Sequence, residues 1–134
     1  MKILMDTHVI IWALIDSPKL SGEARALISD PKNEIYISVL SLWEIEIKRL
    51  IRPDRIPVNA RLIAGYCSQA GYKLVPLKEA EIYELESVTR AGESLTHKDP
   101  FDRMLICQAA AGNMVFLTHD ASLKGYGMEY IRIV

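Results

Sequence analysis

Four carboxylates stand where this chain of 134 residues could do chemistry. Asp6 closes the apolar run that begins at Lys2. Glu44 lies in Ser41-Leu-Trp-Glu44-Ile-Glu-Ile-Lys48. Asp102 lies in His97-Lys-Asp99-Pro-Phe-Asp102-Arg103, and Asp120 ends Val115-Phe-Leu-Thr-His-Asp120. Each acid follows or opens a short apolar run. If those runs are parallel strands of one sheet, the acids gather at one edge, where carboxylates repel one another unless a cation lies between them. Hard oxygen donors of this kind suit Mg²⁺ or Mn²⁺, which bind through few carboxylates and keep several waters. Such an ion can hold a scissile phosphate, activate a water and stabilise the leaving oxygen.

Every one of these acids also has a structural explanation. Asp6 and Asp120 fit the N-caps of the segments that follow them. Ser41-Leu-Trp-Glu44 has the spacing of a capping box, with Glu44 reaching back to an amide. Asp99-Pro100 reads as an N-cap with proline at the first helical position, which puts Asp102 in a first turn favoured by the helix dipole. Glu44 and Lys48 fit an ordinary i,i+4 pair. Taken singly, each acid is more often structural than catalytic. Taken jointly, the structural explanations weaken, because caps can lie at either edge of a sheet and need not converge.

The elements that must position these residues alternate. Strands are expected at residues 2–5, 34–38, 72–75, 115–118 and 130–134, where short apolar or alternating runs occur. Helices are expected over 8–15, from a capping Ser21 to the Asp30-Pro31 stop, over 40–51, over 59–70 with Asn59 as cap and Gly71 as stop, over 78–89, and over 101–111. In the third of these, Leu42, Ile45 and Leu50 share an inward face and Glu46 and Lys48 point elsewhere. Ala91 to Lys98 reads as a polar loop. The alternation predicts a single α/β domain over 1–134, with a central, mostly parallel sheet of about five strands and helices on both faces. Sites in such folds lie at the carboxyl ends of the strands, where Asp6 and Asp120 fall by sequence.

Composition narrows the classes further. Lys and Arg total 16 against 17 for Asp and Glu, so the formal net charge is -1 and there is no bulk basic field. A nucleic-acid ligand must therefore be held by local patches, since phosphate affinity scales with the charges neutralised. Cys67 and Cys107 lie in apolar, helix-like segments without CxxC spacing, which predicts two reduced core thiols rather than a zinc site or a disulfide. The first residues do not read as a signal peptide and no apolar stretch approaches a membrane span, so the expectation is a cytoplasmic protein with no membrane partner.

At these residues the chain resembles a PIN-domain ribonuclease, and within that family a VapC-like toxin of a type II toxin–antitoxin pair. The matching pieces are Met5-Asp6-Thr7-His8 with Trp12, Ser38-Val-Leu-Ser41-Leu-Trp-Glu44-Ile with Lys48, His97-Lys-Asp99-Pro-Phe-Asp102-Arg103 with Gln108-Ala109, and Leu117-Thr118-His119-Asp120. They run along nearly the whole chain in the family's order. The resemblance implies a three-layer PIN-like fold, with Asp6, Glu44, Asp102 and Asp120 as the acidic, metal-holding and catalytic set. It implies Mg²⁺ (or Mn²⁺) as cofactor and RNA as substrate. It also implies a protein antitoxin that blocks the site, and a homodimer.

Supporting candidates are less specific. Thr7 and Thr118 either orient the acids beside them or cap helices, with orientation favoured for Thr118. Ser41 either supports Glu44 or is a cap. Asp99 is an extra acid. Arg103 either contacts phosphate or pairs with Asp99 or a Glu on a neighbouring turn. His97 is expected in solvent or against substrate. His8 and His119 lack soft-metal spacing. Trp12 and Trp43 read as core or interface residues. Two rivals remain. One is a non-catalytic PIN-like binding module whose acidic pocket serves a partner. The other is a phosphatase of the haloacid dehalogenase type, disfavoured because His8 stands where a second Asp is needed.

Overall fold

The structure is a computed structural model in which residues 1–93 and 99–134 are described. His97 and the end of the expected 91–98 loop lie outside the described residues. The strands are β1 (Lys2–Met5), β2 (Glu34–Ser38), β3 (Lys73–Val75), β4 (Val115–Thr118) and β5 (Ile131–Ile133), in the order β3-β2-β1-β4-β5. Every neighbouring pair is parallel. The helices are α1 (Thr7–Leu14), α2 (Gly22–Ser29), α3 (Val39–Ile51), α4 (Ala60–Gln69), α5 (Glu79–Tyr83), α6 (Leu85–Ala91) and α7 (Pro100–Ala111), with a 3₁₀ turn at Ala121–Tyr126.

A strand covered on both faces reads as a continuous apolar run, and successive side chains go to opposite faces. The central strand β1 obeys both rules beyond its first residue. Ile3, Leu4 and Met5 are all fully buried. Ile3 and Met5 join one core with Val9, Ile10, Ile37, Ile45 and Leu117. Leu4 joins the other with Leu105, Ile106, Phe116 and Leu123. Helix α3 supplies Ile45 to the first core and Leu40 to the second, so it joins the two sides of the sheet. Cys67 sits in one core and Cys107 in the other, both as free thiols. Burial pushes each up to about 11, which keeps them protonated and inert.

The caps fall where the sequence puts them. Ser21 Oγ accepts from Ala24 N at 3.1 Å, and Asn59 Oδ1 from Leu62 N at 2.9 Å. Gly71, at φ +87°, turns the chain out of α4. Three expectations need correction. The helix expected over 78–89 is two, because the N–H of Glu84 turns back to Glu81 O at 3.2 Å, a three-residue step that tightens the backbone and separates α5 from α6. Leu50 does not face inward: it is 68% exposed on the last turn of α3, where the underlying core has ended. Of the two readings for Trp43, core or interface, the core one is corrected: it is 59% exposed, its ring edge-on to Phe101 of α7 at 5.3 Å. Among the described residues, no helix is long and apolar enough to cross a membrane.

The chain builds outward from β1 through β2 to β3, then returns to lay β4 and β5 on the other side of β1. The order reverses between β1 and β4, and their carboxyl ends are where such a sheet opens a crevice.

Candidate active site

Asp6 sits at the end of β1 and caps α1. It is 5% exposed. Its Oδ1 accepts from Thr7 N at 2.6 Å and its Oδ2 from the Thr118 hydroxyl at 2.7 Å. Thr118 ends β4, so this second bond spans the switch point between the two strands. Burial raises the Asp6 carboxyl above the usual carboxylate range. The Thr118 and Thr7 hydrogen bonds and nearby His8 act against that rise, and the charge of Glu44 adds to it.

Glu44 comes from α3 and is 6% exposed. Its Oε1 accepts from Thr7 Oγ1 at 2.9 Å and its Oε2 from Lys48 Nζ at 2.6 Å. Thr7 Oγ1 also lies 3.0 Å from Ser41 Oγ. A hydroxyl has one proton and a carboxylate has none to give. Thr7 therefore donates to Glu44, and Ser41 donates to Thr7. Thr7 thus ties the acids together, its amide on Asp6 and its hydroxyl on Glu44. The capping-box explanation of Glu44 fails. Ser38 is the N-cap of α3, accepting from Leu40 N at 3.0 Å, and Ser41 lies inside the helix. The i,i+4 pair with Lys48 is present, as the spacing suggested.

Asp120 is half-buried and reaches the same centre through Thr118, whose hydroxyl accepts from Asp120 N at 3.1 Å while donating to Asp6. Its Oδ1 accepts from Ser122 N at 2.9 Å and Ser122 Oγ at 2.6 Å, so it also caps the 3₁₀ turn. Asp102 is half-buried in the first turn of α7, a helix that packs on α3. Asp99 is the N-cap of α7, accepting from Phe101 N at 2.8 Å. Arg103 Nε donates to Tyr126 Oη at 2.9 Å. The Tyr126 ring lies so close to Gly92 that a Cβ there would come within 2.3 Å of it, so glycine is required. His119 Nδ1 is 2.9 Å from Val134 O, and its ring stands edge-on to Trp12 at 4.9 Å.

Among the described residues, no three His, Cys, Asp or Glu side chains stand close enough to hold a metal ion as they are placed. The donors that do meet are hard carboxylate and hydroxyl oxygens, and the two cysteines are remote in the cores. That chemistry fits Mg²⁺ or Mn²⁺ and not zinc. The raised Asp6 carboxyl fits as well, because a cation would relieve both its burial and its repulsion from Glu44.

Gln108 carries a role the sequence did not disclose. It is fully buried, its Oε1 accepts from the Ser38 hydroxyl, and its Nε2 donates to Pro76 O at 3.2 Å. Ser38 begins α3, so Gln108 anchors the helix that carries Glu44. The available signal was one amide within the apolar run Leu105-Ile-Cys-Gln108-Ala109.

Comparison with known proteins agrees with this fold. No curated protein sequence matches the chain. Among solved structures, VapBC2 from Rickettsia felis bound to a DNA fragment from their promoter aligns with a TM-score of 0.69 at 13% identity, covering 100% of this chain and 98% of that one. VapBC-1 from nontypeable Haemophilus influenzae aligns at 0.67 and 18%, covering 94% and 92%. Mycobacterium tuberculosis VapC20, a Sarcin-Ricin loop cleaving toxin, aligns at 0.59 and 16%, covering 97% and 98%. At these identities the likeness is one of fold. The PIN domain family model matches residues 3–127. With nearly its whole length matched by that model, and with Asp6 at the switch point of a five-stranded parallel sheet, the chain belongs to the PIN domain family.

Proposed function

We propose that the protein is a metal-dependent endoribonuclease, the toxin of a toxin–antitoxin pair, acting in the cytoplasm as a homodimer and restrained by a cognate antitoxin protein. The observation that carries this reading is the Thr7-bridged pair of buried carboxylates, Asp6 and Glu44, at the topological switch point. Support also comes from the likeness in fold to VapBC structures and to a toxin described as cleaving the Sarcin-Ricin loop.

Asp6, Glu44, Asp102 and Asp120 are the residues that would hold Mg²⁺ or Mn²⁺. When bound, such an ion supplies positive charge to a scissile phosphate and lowers the pKa of a water. The chain's own residues supply the rest. Thr118 and the Thr7 amide hold Asp6 in one orientation, and the Ser41–Thr7 relay fixes one oxygen of Glu44. Each Asp6 oxygen accepts one hydrogen bond from these residues and keeps a further lone-pair direction. A carboxylate of this set takes the proton of the water that attacks the phosphodiester in line. In this reading the attacking group is a water and no side chain forms a covalent intermediate.

One observation favours the binding-module reading: the ammonium of Lys48 already neutralises the second oxygen of Glu44. Cleavage of RNA in Mg²⁺ or Mn²⁺ separates the two. The nuclease reading requires cleavage that a chelator abolishes and that Asp6→Asn removes. A partner-binding chain without turnover under those conditions is the rival's signature.

A further inference from the structure

A near-neutral chain, of net charge -1, whose proposed active site gathers acids repels at that site the polyanion it would cut. The phosphates on either side of the scissile bond therefore need cations beside that site. The structure assigns them: we propose that the groove lined by His8, Lys48, Ile51, Arg52, Arg55 and Ile56 is a track for the backbone of a single-stranded RNA leaving the acidic centre. This rests on the nuclease reading and adds the residues that hold the strand.

The groove encloses about 390 Å³. It is continuous with the site at two points. His8 lies on α1 two residues beyond Asp6, and Lys48 Nζ touches Glu44. Its far wall is the turn after α3, Arg52-Pro53-Asp54-Arg55, closed by Arg55 N donating to Arg52 O at 3.0 Å. Proline at the second position suits such a turn, which places the two arginines at its ends. Arg52 pairs with Asp54 at 3.0 Å, but both are exposed, and exchanging such a pair for a phosphate contact costs little. Arg55 is exposed and has no side-chain hydrogen bond or ion pair among the described residues. Guanidinium groups present a fork that matches phosphate oxygens. Ile51, 70% exposed, and Ile56 give the same groove an apolar wall. Apolar surface beside a line of cations suits a strand whose bases are unpaired, because a duplex hides its base faces.

The test uses a fluorescein-labelled 12-nucleotide oligouridylate as probe, with the full chain in EDTA, and reads affinity by anisotropy across a salt series. Single strands lose affinity with a slope of about 0.7 per phosphate contact in log Kd against log salt. Arg52→Ala with Arg55→Ala should weaken binding about tenfold at low salt and lower that slope by about 1.4. Arg55→Gln alone, which leaves the Arg52–Asp54 pair and the turn in place, should lower it by about half as much. The control is Arg25→Ala with Arg132→Ala, which removes two exposed arginines, paired to Asp16 and Glu23, that do not line the groove. It should leave the slope unchanged. Equal effects of the two double variants, an unchanged slope in the groove variants, or no probe binding by the parent would each overturn the proposal. So would loss of a bound partner protein with RNA binding intact, which assigns the groove to that partner. Cleavage in Mn²⁺ by the parent and by Asp6→Asn is read on the same samples. Cleavage that depends on Asp6 while the groove variants bind normally defeats the groove alone. Groove-dependent binding with no Asp6-dependent cleavage defeats the nuclease reading and leaves the groove standing.

Discussion

At the scale of single residues, the structure changes what Glu44 can be. Its cap explanation is gone, because Ser38 starts the helix and the Glu44 oxygens are taken by Thr7 and Lys48 rather than by an amide. Glu44→Gln preserves volume and can still accept from Thr7, so the melting temperature should stay within a few degrees. The amide lacks the charge that a cation needs. Cleavage of RNA should fall by a factor on the order of 10², the scale of one lost electrostatic contributor. Glu46 is a poor control for this test, since one of its oxygens accepts from Ala60 N at 3.2 Å and the other pairs with Arg49, tying α3 to α4. Glu86, exposed on α6 and paired only across its own helix with Arg90, is the better one, and Glu86→Gln should cleave normally. Matching activity in the Glu44 and Glu86 variants would remove Glu44 from the site.

Asp6 makes a second residue-scale prediction, with a sign. Burial and Glu44 raise its carboxyl above the ordinary Asp value, so the native state holds this proton more tightly than the unfolded chain does. The ionised form therefore costs stability at neutral pH. That cost is relieved as pH falls through the raised native value toward the unfolded one. Asn accepts this position: its oxygen takes the Thr7 amide and its NH₂ donates to the Thr118 hydroxyl, which can rotate. Asp6→Asn should be as stable as the parent or more so at neutral pH, and inactive. Its stability advantage should shrink on acidification toward about pH 4, near the ordinary range for Asp. Urea titrations at both pH values check this. An advantage that grows with acid would contradict the raised carboxyl.

At the scale of elements, much was legible and the reasons are specific. The strands β1 and β4 announce themselves because a doubly covered strand must be apolar at every position. Ser21, Asn59 and Asp99 are side chains whose capping bond is local, so sequence alone places them. The break at Glu84 was not legible, because residues 78–89 keep helical spacing across it and the change is a single tightened backbone bond. Ser41 with Glu44 misled for a related reason. A capping box and an internal i,i+3 pair have the same spacing, and only the chain's path out of β2 decides which residue is the cap. Gln108 was hidden because its partners, Ser38 and Pro76, are far away in sequence. Its replacement is the prediction at this scale. Gln108→Leu keeps the bulk but leaves Pro76 O without its donor and Ser38 without its acceptor. Buried groups left unpaired cost about 1–3 kcal/mol, and the denaturation midpoint should fall accordingly. Because Ser38 starts α3, activity should fall further than the folded fraction does. A variant that loses stability but keeps full specific activity would confine Gln108 to packing.

At the scale of the whole molecule, the proposal that the acids act as a group has a collective signature in the stability of the fold. The topology brings Asp6 and Asp120 to adjacent strand ends and Glu44 and Asp102 in on two helices that pack together. Burial and the charge of Glu44 raise the Asp6 carboxyl, and Lys48 pairs with Glu44. A ligand that binds only the native state stabilises it by RT ln(1 + [L]/Kd), about 2.7 kcal/mol at a hundredfold excess over Kd. For a domain of this length that excess should lift the melting temperature by roughly 6–14 °C. Mn²⁺ or Mg²⁺ should produce the rise in the parent chain and a chelator should reverse it. Asp6→Asn, already relieved of the repulsion, should melt at or above the metal-free parent and gain little from the metal. The two halves of that expectation pull in opposite directions on one variant. A general effect of divalent ions on the surface would lift both proteins alike, and a purely structural Asp6 would leave both unmoved. Only a cation drawn to the Asp6–Glu44 pair stabilises the parent while sparing the variant.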